Sequence, residues 1–287
     1  MKVRLQSLAT TRLELFFHDV PLGPATGFLY RYGQSLALVS NWHVFANTHP
    51  QTGVCRSPQG FIPNRVTFNM NIINRADGSL FVRAAEAALA SNGKALWLEP
   101  NISQAEPKEI WDVAALVLND QIEDFAEVSE RIVSMPATML VTPAERQEDW
   151  RAEHAYPRVG ADVFILGFPK GLVSQGVFPV WKRGSIATEP LFFALNNKPV
   201  FLVDAATKDG MSGSPVIYLG SDLTDDEGRP AGNMQDTAWL VGIYAGRQGV
   251  TREEVDMVLG RVWRREVLDS IFWTQIPGLS QLDLLLA

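Results

Sequence analysis

A serine between two glycines, in Asp209-Gly210-Met211-Ser212-Gly213-Ser214-Pro215, is the strongest local chemical signal in this sequence, and it lies directly before an apolar strand. A nucleophilic serine needs a tight turn that presents its hydroxyl, and backbone N–H groups aimed at the oxyanion that forms when a carbonyl is attacked. The turn Gly210-Met211-Ser212 is placed to supply them. A serine hydroxyl is a weak nucleophile near neutrality, so a general base must stand within hydrogen-bond reach, and histidine is the usual one. The histidines are His18, His43, His49 and His154. His43 follows the apolar run Leu36-Ala37-Leu38-Val39 at the point where a strand gives way to a turn; His49 and His154 read as exposed loop residues and His18 as a strand cap.

The third member of such a relay is a carboxylate that holds one imidazole tautomer and stabilises the imidazolium as it forms. Asp112 opens the apolar run Val113-Ala114-Ala115-Leu116-Val117-Leu118, where an unpaired aspartate would be expensive. Asp162 and Asp204 also flank apolar runs and compete for the role. Chain order narrows the choice of architecture. No histidine follows His154, so the α/β-hydrolase order of serine before histidine is excluded for Ser212. A subtilisin order has only Asp19 to offer ahead of His43, and the alternation of strands and helices it needs is missing.

The elements that must position these groups read as strands. Leu13 to His18, Gly27 to Tyr32, Ser35 to Ser40, Val66 to Ile73, Leu80 to Ala90, Lys94 to Glu99 and Val113 to Leu118 are short apolar or alternating runs separated by turn chemistry, including Asp77-Gly78. The alanine-rich stretch 84–90 could instead be helical. A second series runs through Asp162 to Phe168, Val177 to Ile186, Val200 to Asp204, Pro215 to Tyr218 and Trp239 to Tyr244. Apolar residues at 262, 263, 267, 268, 271 and 272 fit one helix face. The expected organisation is all-β, with residues 1–125 as a first β unit carrying His43 and Asp112, a charged linker over 126–155, and residues 156–287 as a second unit carrying Ser212 and a C-terminal helix.

These motifs in this order resemble the trypsin-like (chymotrypsin-fold) serine proteases, and within them the bacterial HtrA-like branch. Asn41-Trp42-His43-Val44 is similar to the family's histidine motif, and Asp112-Val113-Ala114-Ala115-Leu116 to its aspartate motif. Asp204 to Pro215 is similar to its serine block, and Leu166-Gly167-Phe168-Pro169-Lys170-Gly171 to the glycine-proline loop of the second barrel. Ser214 stands where many relatives have glycine. The resemblance implies two tandem antiparallel β-barrels with the active site in the cleft between them, and a serine endopeptidase with a His43-Asp112-Ser212 triad, an oxyanion hole at Gly210, Met211 and Ser212, and no cofactor or metal. It also implies a substrate pocket lined by Ala206, Thr207, Tyr244, Ala245, Gly246 and Gly260. No acidic residue falls at the pocket floor, so an uncharged, small to medium apolar side chain is expected there. Too few residues follow the C-terminal helix for the PDZ domain that HtrA proteins carry, so regulation is expected from another chain. Two other readings stay open, a protease fold retained as a binding or scaffold module and an esterase on the same fold.

Composition limits the setting. The net charge of -7, without a basic cluster beyond short pairs, argues against nucleic acid. The N-terminus has no apolar run of signal-peptide length, and no stretch of the chain is long and apolar enough to span a bilayer. Cys55 is the single cysteine, so no internal disulfide can form, as a reducing compartment would permit. A cytoplasmic protein acting on a protein or peptide substrate, with no membrane partner, is therefore expected. Asp222, Asp225, Asp226 and Glu227 invite a calcium reading, but their spacing fits a solvated loop better than an EF-hand.

Overall fold

The computed structural model describes residues 3–74, 76–100, 110–137, 156–174, 176–191, 198–220, 238–247 and 259–278. After a short helix, α1 (Leu5–Ala9), the chain forms β1 (Thr10–Phe17), β2 (Val20–Tyr32) and β3 (Ser35–Ser40). Helix α2 (Trp42–Ala46) follows and ends at Asn47, whose left-handed φ of 48° is one that asparagine tolerates. Next come β4 (Arg65–Ile73), β5 (Leu80–Ala88), the small hairpin β6 (Ala90–Ser91) and β7 (Lys94–Ala95), β8 (Leu98–Glu99) and β9 (Ala114–Val117). The alanine-rich stretch after Leu80 is strand, because β4 pairs with it along the whole of β5.

The sheet runs β8-β9-β3-β2-β1-β4-β5. Because β8 follows β5 through one small hairpin, counting the two as a single interrupted strand turns this path into a ring. The second unit consists of β11 (Asp162–Gly167), β12 (Val180–Ile186), β13 (Val200–Asp204), β14 (Pro215–Leu219), β15 (Ala238–Arg247) and β16 (Leu259–Arg264). They close into a barrel in the order β11-β12-β13-β16-β15-β14. Both rings thus follow one cyclic order, in which the third strand pairs with the sixth and the first with the fourth. The fold is the all-β double barrel.

Between the units, α3 (Phe125–Val128) and β10 (Met135–Pro136) pack on the first sheet, where β10 pairs with β2 in parallel. Residues 126–137, read from sequence as linker, are therefore built into the first unit, whereas 138–155, with His154, and the acidic loop 221–237 lie outside the described residues. Helix α4 (Arg265–Thr274) buries Val267, Leu268, Ile271 and Phe272. It starts later than the apolar spacing suggests. Val262 and Trp263 belong to β16, where they pair with Phe201 and Val200 on one side and with Tyr244 and Ile243 on the other. Two ladders outweigh helical periodicity there. The chain then returns to the first sheet through β17 (Ile276–Pro277), which pairs with β8.

Among the described residues the buried apolar side chains form three cores. Leu29, Leu36 and Leu38 point into the first barrel, and Ile165, Val203 and Val216 into the second. Phe28, Tyr30, Ala37 and Val39 point the other way, into a seam where they meet Leu166, Ile217, Ile243 and the apolar face of α4. Strands buried on both faces lose the alternation of polar and apolar residues, which is why Leu36 to Val39 reads as one continuous apolar run.

Candidate active site

The antiparallel pairing of β3 with β9 sets Ser40 opposite Ala114. Continued beyond both strand ends, that register carries Asp112 alongside Trp42 and His43, where α2 turns away from the sheet. The contact is double. The main-chain N–H of His43 donates to Asp112 Oδ1 at 2.9 Å, and His43 Nδ1 lies 2.7 Å from Asp112 Oδ2. Asn41 adds a third tie, its side-chain amide donating to the Asp112 carbonyl at 2.7 Å. His43 and Asp112 are both buried, and among the described residues the outer nitrogen, His43 Nε2, has no hydrogen-bond partner. The competing aspartates are elsewhere: Asp162 pairs with Arg183 at 2.5 Å on exposed surface, and Asp204 is exposed at the end of β13.

Ser212 sits in the turn between β13 and β14 and lines the same cleft as His43 and Asp112. Both barrels hold this turn. From the first, the Thr26 N–H donates to the Ser212 carbonyl at 3.1 Å, and Thr26 Oγ1 donates to the Gly210 carbonyl at 2.7 Å. From the second, the Lys170 N–H donates to the Asp209 carbonyl at 2.6 Å, and the Gly213 N–H donates to the Tyr244 carbonyl at 3.0 Å. Thr26 Oγ1 also accepts the Phe168 N–H at 3.1 Å, so one buried hydroxyl ties β2 to both loops of the second barrel.

The carbonyls of the turn are thereby engaged, while the N–H groups of Gly210 and Ser212 make no hydrogen bond among the described residues. Gly210 has φ of +91°, and a Cβ there would stand 2.5 Å from the Phe168 carbonyl oxygen, so this backbone suits glycine. Met211 is a correction to the sequence-based oxyanion set. Its N–H donates to the Lys208 carbonyl at 3.3 Å, closing the turn, and its side chain is buried.

Among the described residues, side chains take up part of the space where the apolar substrate pocket is expected. Tyr244 fills that space: its ring is buried, it packs where a side chain on Gly260 would have to be, and its hydroxyl is hydrogen-bonded to Thr207 Oγ1. Burial raises the Tyr244 pKa, keeping that hydroxyl neutral. Thr207, Tyr244, Ala245 and Gly246 do line the cleft, but Ala206 and Gly260 do not. Arg247 and Arg261 stand there instead. Nothing in their spacing marked them, because strand ends carry arginine for many reasons.

His49 is also on the cleft wall, rather than in a free loop. Its Nδ1 accepts the Thr52 N–H at 3.2 Å, and burial together with Arg56 and Arg261 holds its imidazole below the usual range. Thr26 was missed as well, although a threonine inside the apolar run from Ala25 to Tyr30 is the kind of buried polar group that must find a partner.

No family model and no curated protein matches the chain. Among solved structures, the fold is similar to the Rv3671c protease from M. tuberculosis in its active form, with 15% identity over 96% of this chain and 84% of that one and a TM-score of 0.45. It is likewise similar to a serine endoprotease from Yersinia pestis, with 14% identity, coverage of 96% and 68%, and a TM-score of 0.49. A third neighbour is the HtrA-type protease AlgW, with 14% identity, coverage of 94% and 60%, and a TM-score of 0.45. At these levels the double-barrel architecture stands on this chain's own strand order, which is that of the trypsin-like fold.

Proposed function

We propose that this protein is a serine endopeptidase in which Ser212 is the nucleophile, His43 the general base and Asp112 the residue that orients it. The observation that carries the reading is the doubly bonded His43–Asp112 pair facing the cleft that Ser212 lines. Asp112 fixes the protonated Nδ1 tautomer, which directs the free lone pair of Nε2 towards the cleft. Ser212 Oγ bonds to the scissile carbonyl carbon while His43 Nε2 takes its proton. The carbonyl oxygen becomes an oxyanion, held by the N–H groups of Gly210 and Ser212. Collapse breaks the C–N bond, and His43 returns the proton to the leaving amine. Water then attacks the acyl-enzyme by the same route and frees the acid and Ser212.

Ser212 Oγ and His43 Nε2 share no hydrogen bond in this structure, a contact that commonly tightens only when substrate is bound. The test is labelling with a fluorophosphonate probe. Labelling of the wild type and its loss in Ser212→Ala are expected, whereas labelling that persists in the alanine variant would assign the nucleophile elsewhere. Hydrolysis of casein with little turnover of short-chain esters separates the peptidase from an esterase. The substrate is proposed to be a protein inside the cell.

A further inference from the structure

The cleft of about 490 Å³ beside Ser212 is basic, on a chain whose net charge is -7. Among the described residues five cationic side chains line it: Lys170 and Lys208 flank the serine turn, Arg247 and Arg261 come from β15 and β16, and Arg56 comes from the first barrel. Its carboxylates among the described residues are Asp112, already engaged twice by His43, and Asp209. Arg56, Lys170, Lys208 and Arg261 make no side-chain hydrogen bond or ion pair among the described residues, and Arg261 Nε is buried without a partner. A buried guanidinium N–H is a strong donor, so an acceptor placed beside Arg261 Nε would gain a charge-assisted hydrogen bond.

The floor has the matching polarity. Tyr244 and Thr207, hydrogen-bonded to one another, replace what would be apolar depth with hydroxyls, and Arg247 reaches behind them to donate to the Thr207 carbonyl at 2.6 Å. A large apolar side chain there would meet hydroxyls rather than apolar surface and would strip water from several cations. A carboxylate would instead gain charge-assisted hydrogen bonds, which are about twice as strong as neutral ones, in a cleft whose walls concentrate the field.

We infer that the residue whose carbonyl Ser212 attacks is acidic, glutamate or aspartate, with its carboxylate held by Arg261 and the neighbouring cations beside the Tyr244–Thr207 floor. This specificity rests on Ser212 being the nucleophile. It departs from the uncharged, small to medium apolar side chain expected from the sequence.

Two measurements test it. In matched fluorogenic peptides that differ only at that residue, glutamate should exceed its uncharged isostere glutamine by roughly ten-fold or more in kcat/KM. Raising the ionic strength should shrink this advantage, and Arg261→Gln should bring the ratio towards one. The same glutamate and glutamine peptides are then titrated against the Ser212→Ala protein by fluorescence anisotropy, which needs no turnover. Tighter binding of the glutamate peptide supports acidic recognition even if the wild type neither labels nor cleaves, in which case the proposed reaction alone fails. A wild type that labels with fluorophosphonate yet takes glutamine or leucine as readily as glutamate, with equal binding of both peptides by Ser212→Ala, overturns the inference.

Discussion

Asp112 grips His43 at two points, through the imidazole Nδ1 and through the main-chain N–H, using one carboxylate oxygen for each. The second bond fixes the carboxylate plane and with it the direction of the ring. Asp112→Asn keeps the size and one acceptor but offers an amide in place of the charge. It should leave the fold intact and lower kcat by about a thousand-fold or more, since the tautomer is no longer enforced and the imidazolium is not stabilised. Peptide hydrolysis, with a thermal melt as control, checks this. Activity within ten-fold of wild type would remove Asp112 from the relay.

Thr26 predicts a different pattern. Its hydroxyl donates to the Gly210 carbonyl and accepts the Phe168 N–H across the seam. Thr26→Val is nearly the same size yet leaves both groups buried and unsatisfied. Stability should drop by about 1–3 kcal/mol. The turn that carries the proposed oxyanion donors would also loosen, so kcat should fall more than KM rises. Denaturant titration and steady-state kinetics on the folded variant distinguish this from a purely structural loss, which would leave kcat per folded molecule unchanged.

Gly213 lies against the first barrel, where a Cβ would collide with the Thr26 carbonyl oxygen and with Ser40 Oγ, and its φ is +85°. Ser40 Oγ itself donates to the Thr26 carbonyl at 2.8 Å. Gly213→Ala therefore cannot be relieved by moving one flexible side chain. It should cost several kcal/mol and displace the serine turn. Fluorophosphonate labelling should fall even below the melting transition; normal labelling in a stable variant would show that the seam is softer than its packing implies.

Alkaline pH should act through Tyr156. Its pKa is raised well above the ordinary value, first by burial and then by Glu266, to which its hydroxyl donates at 2.5 Å. A folded-state pKa above the unfolded one contributes stability that is complete below the unfolded value of about 10 and is lost as pH climbs beyond it. Unfolding free energy measured in urea from pH 8 to 11.5 should decline above pH 10. Tyr156→Phe should be less stable at pH 8 by about 1 kcal/mol, with a shallower alkaline decline. An unchanged slope in that variant would point to Tyr30, whose pKa is raised by burial and by Asp269.

Much of the architecture was legible because strand boundaries are local. Ser35 to Ser40 and Val200 to Asp204 are strands over the same residues that turn chemistry and apolar runs delimit. The sequence also singles out His43, Asp112 and Ser212 as candidates, and the structure places all three on one cleft. Each stands at a strand end beside an apolar run, and their chain order excludes the α/β-hydrolase arrangement and leaves a subtilisin order only Asp19 to use. Where α4 begins was not readable from periodicity, because Val262 and Trp263 satisfy a helical spacing but are held in two ladders.

What tertiary structure alone decided is the shape and charge of the cleft that Ser212 lines. A sequence can set Thr207, Tyr244 and Gly260 near one pocket, but whether a tyrosine lines that pocket or fills it depends on a rotamer and on a glycine from another strand that leaves it room. Likewise Arg56, Lys170, Lys208, Arg247 and Arg261 are scattered along a net-acidic chain; the fold of the second unit brings four of them around Ser212, and the first unit adds Arg56. Local order follows from backbone preferences and burial within a few residues. The electrostatics of the cleft is a sum over distances that no stretch of sequence contains.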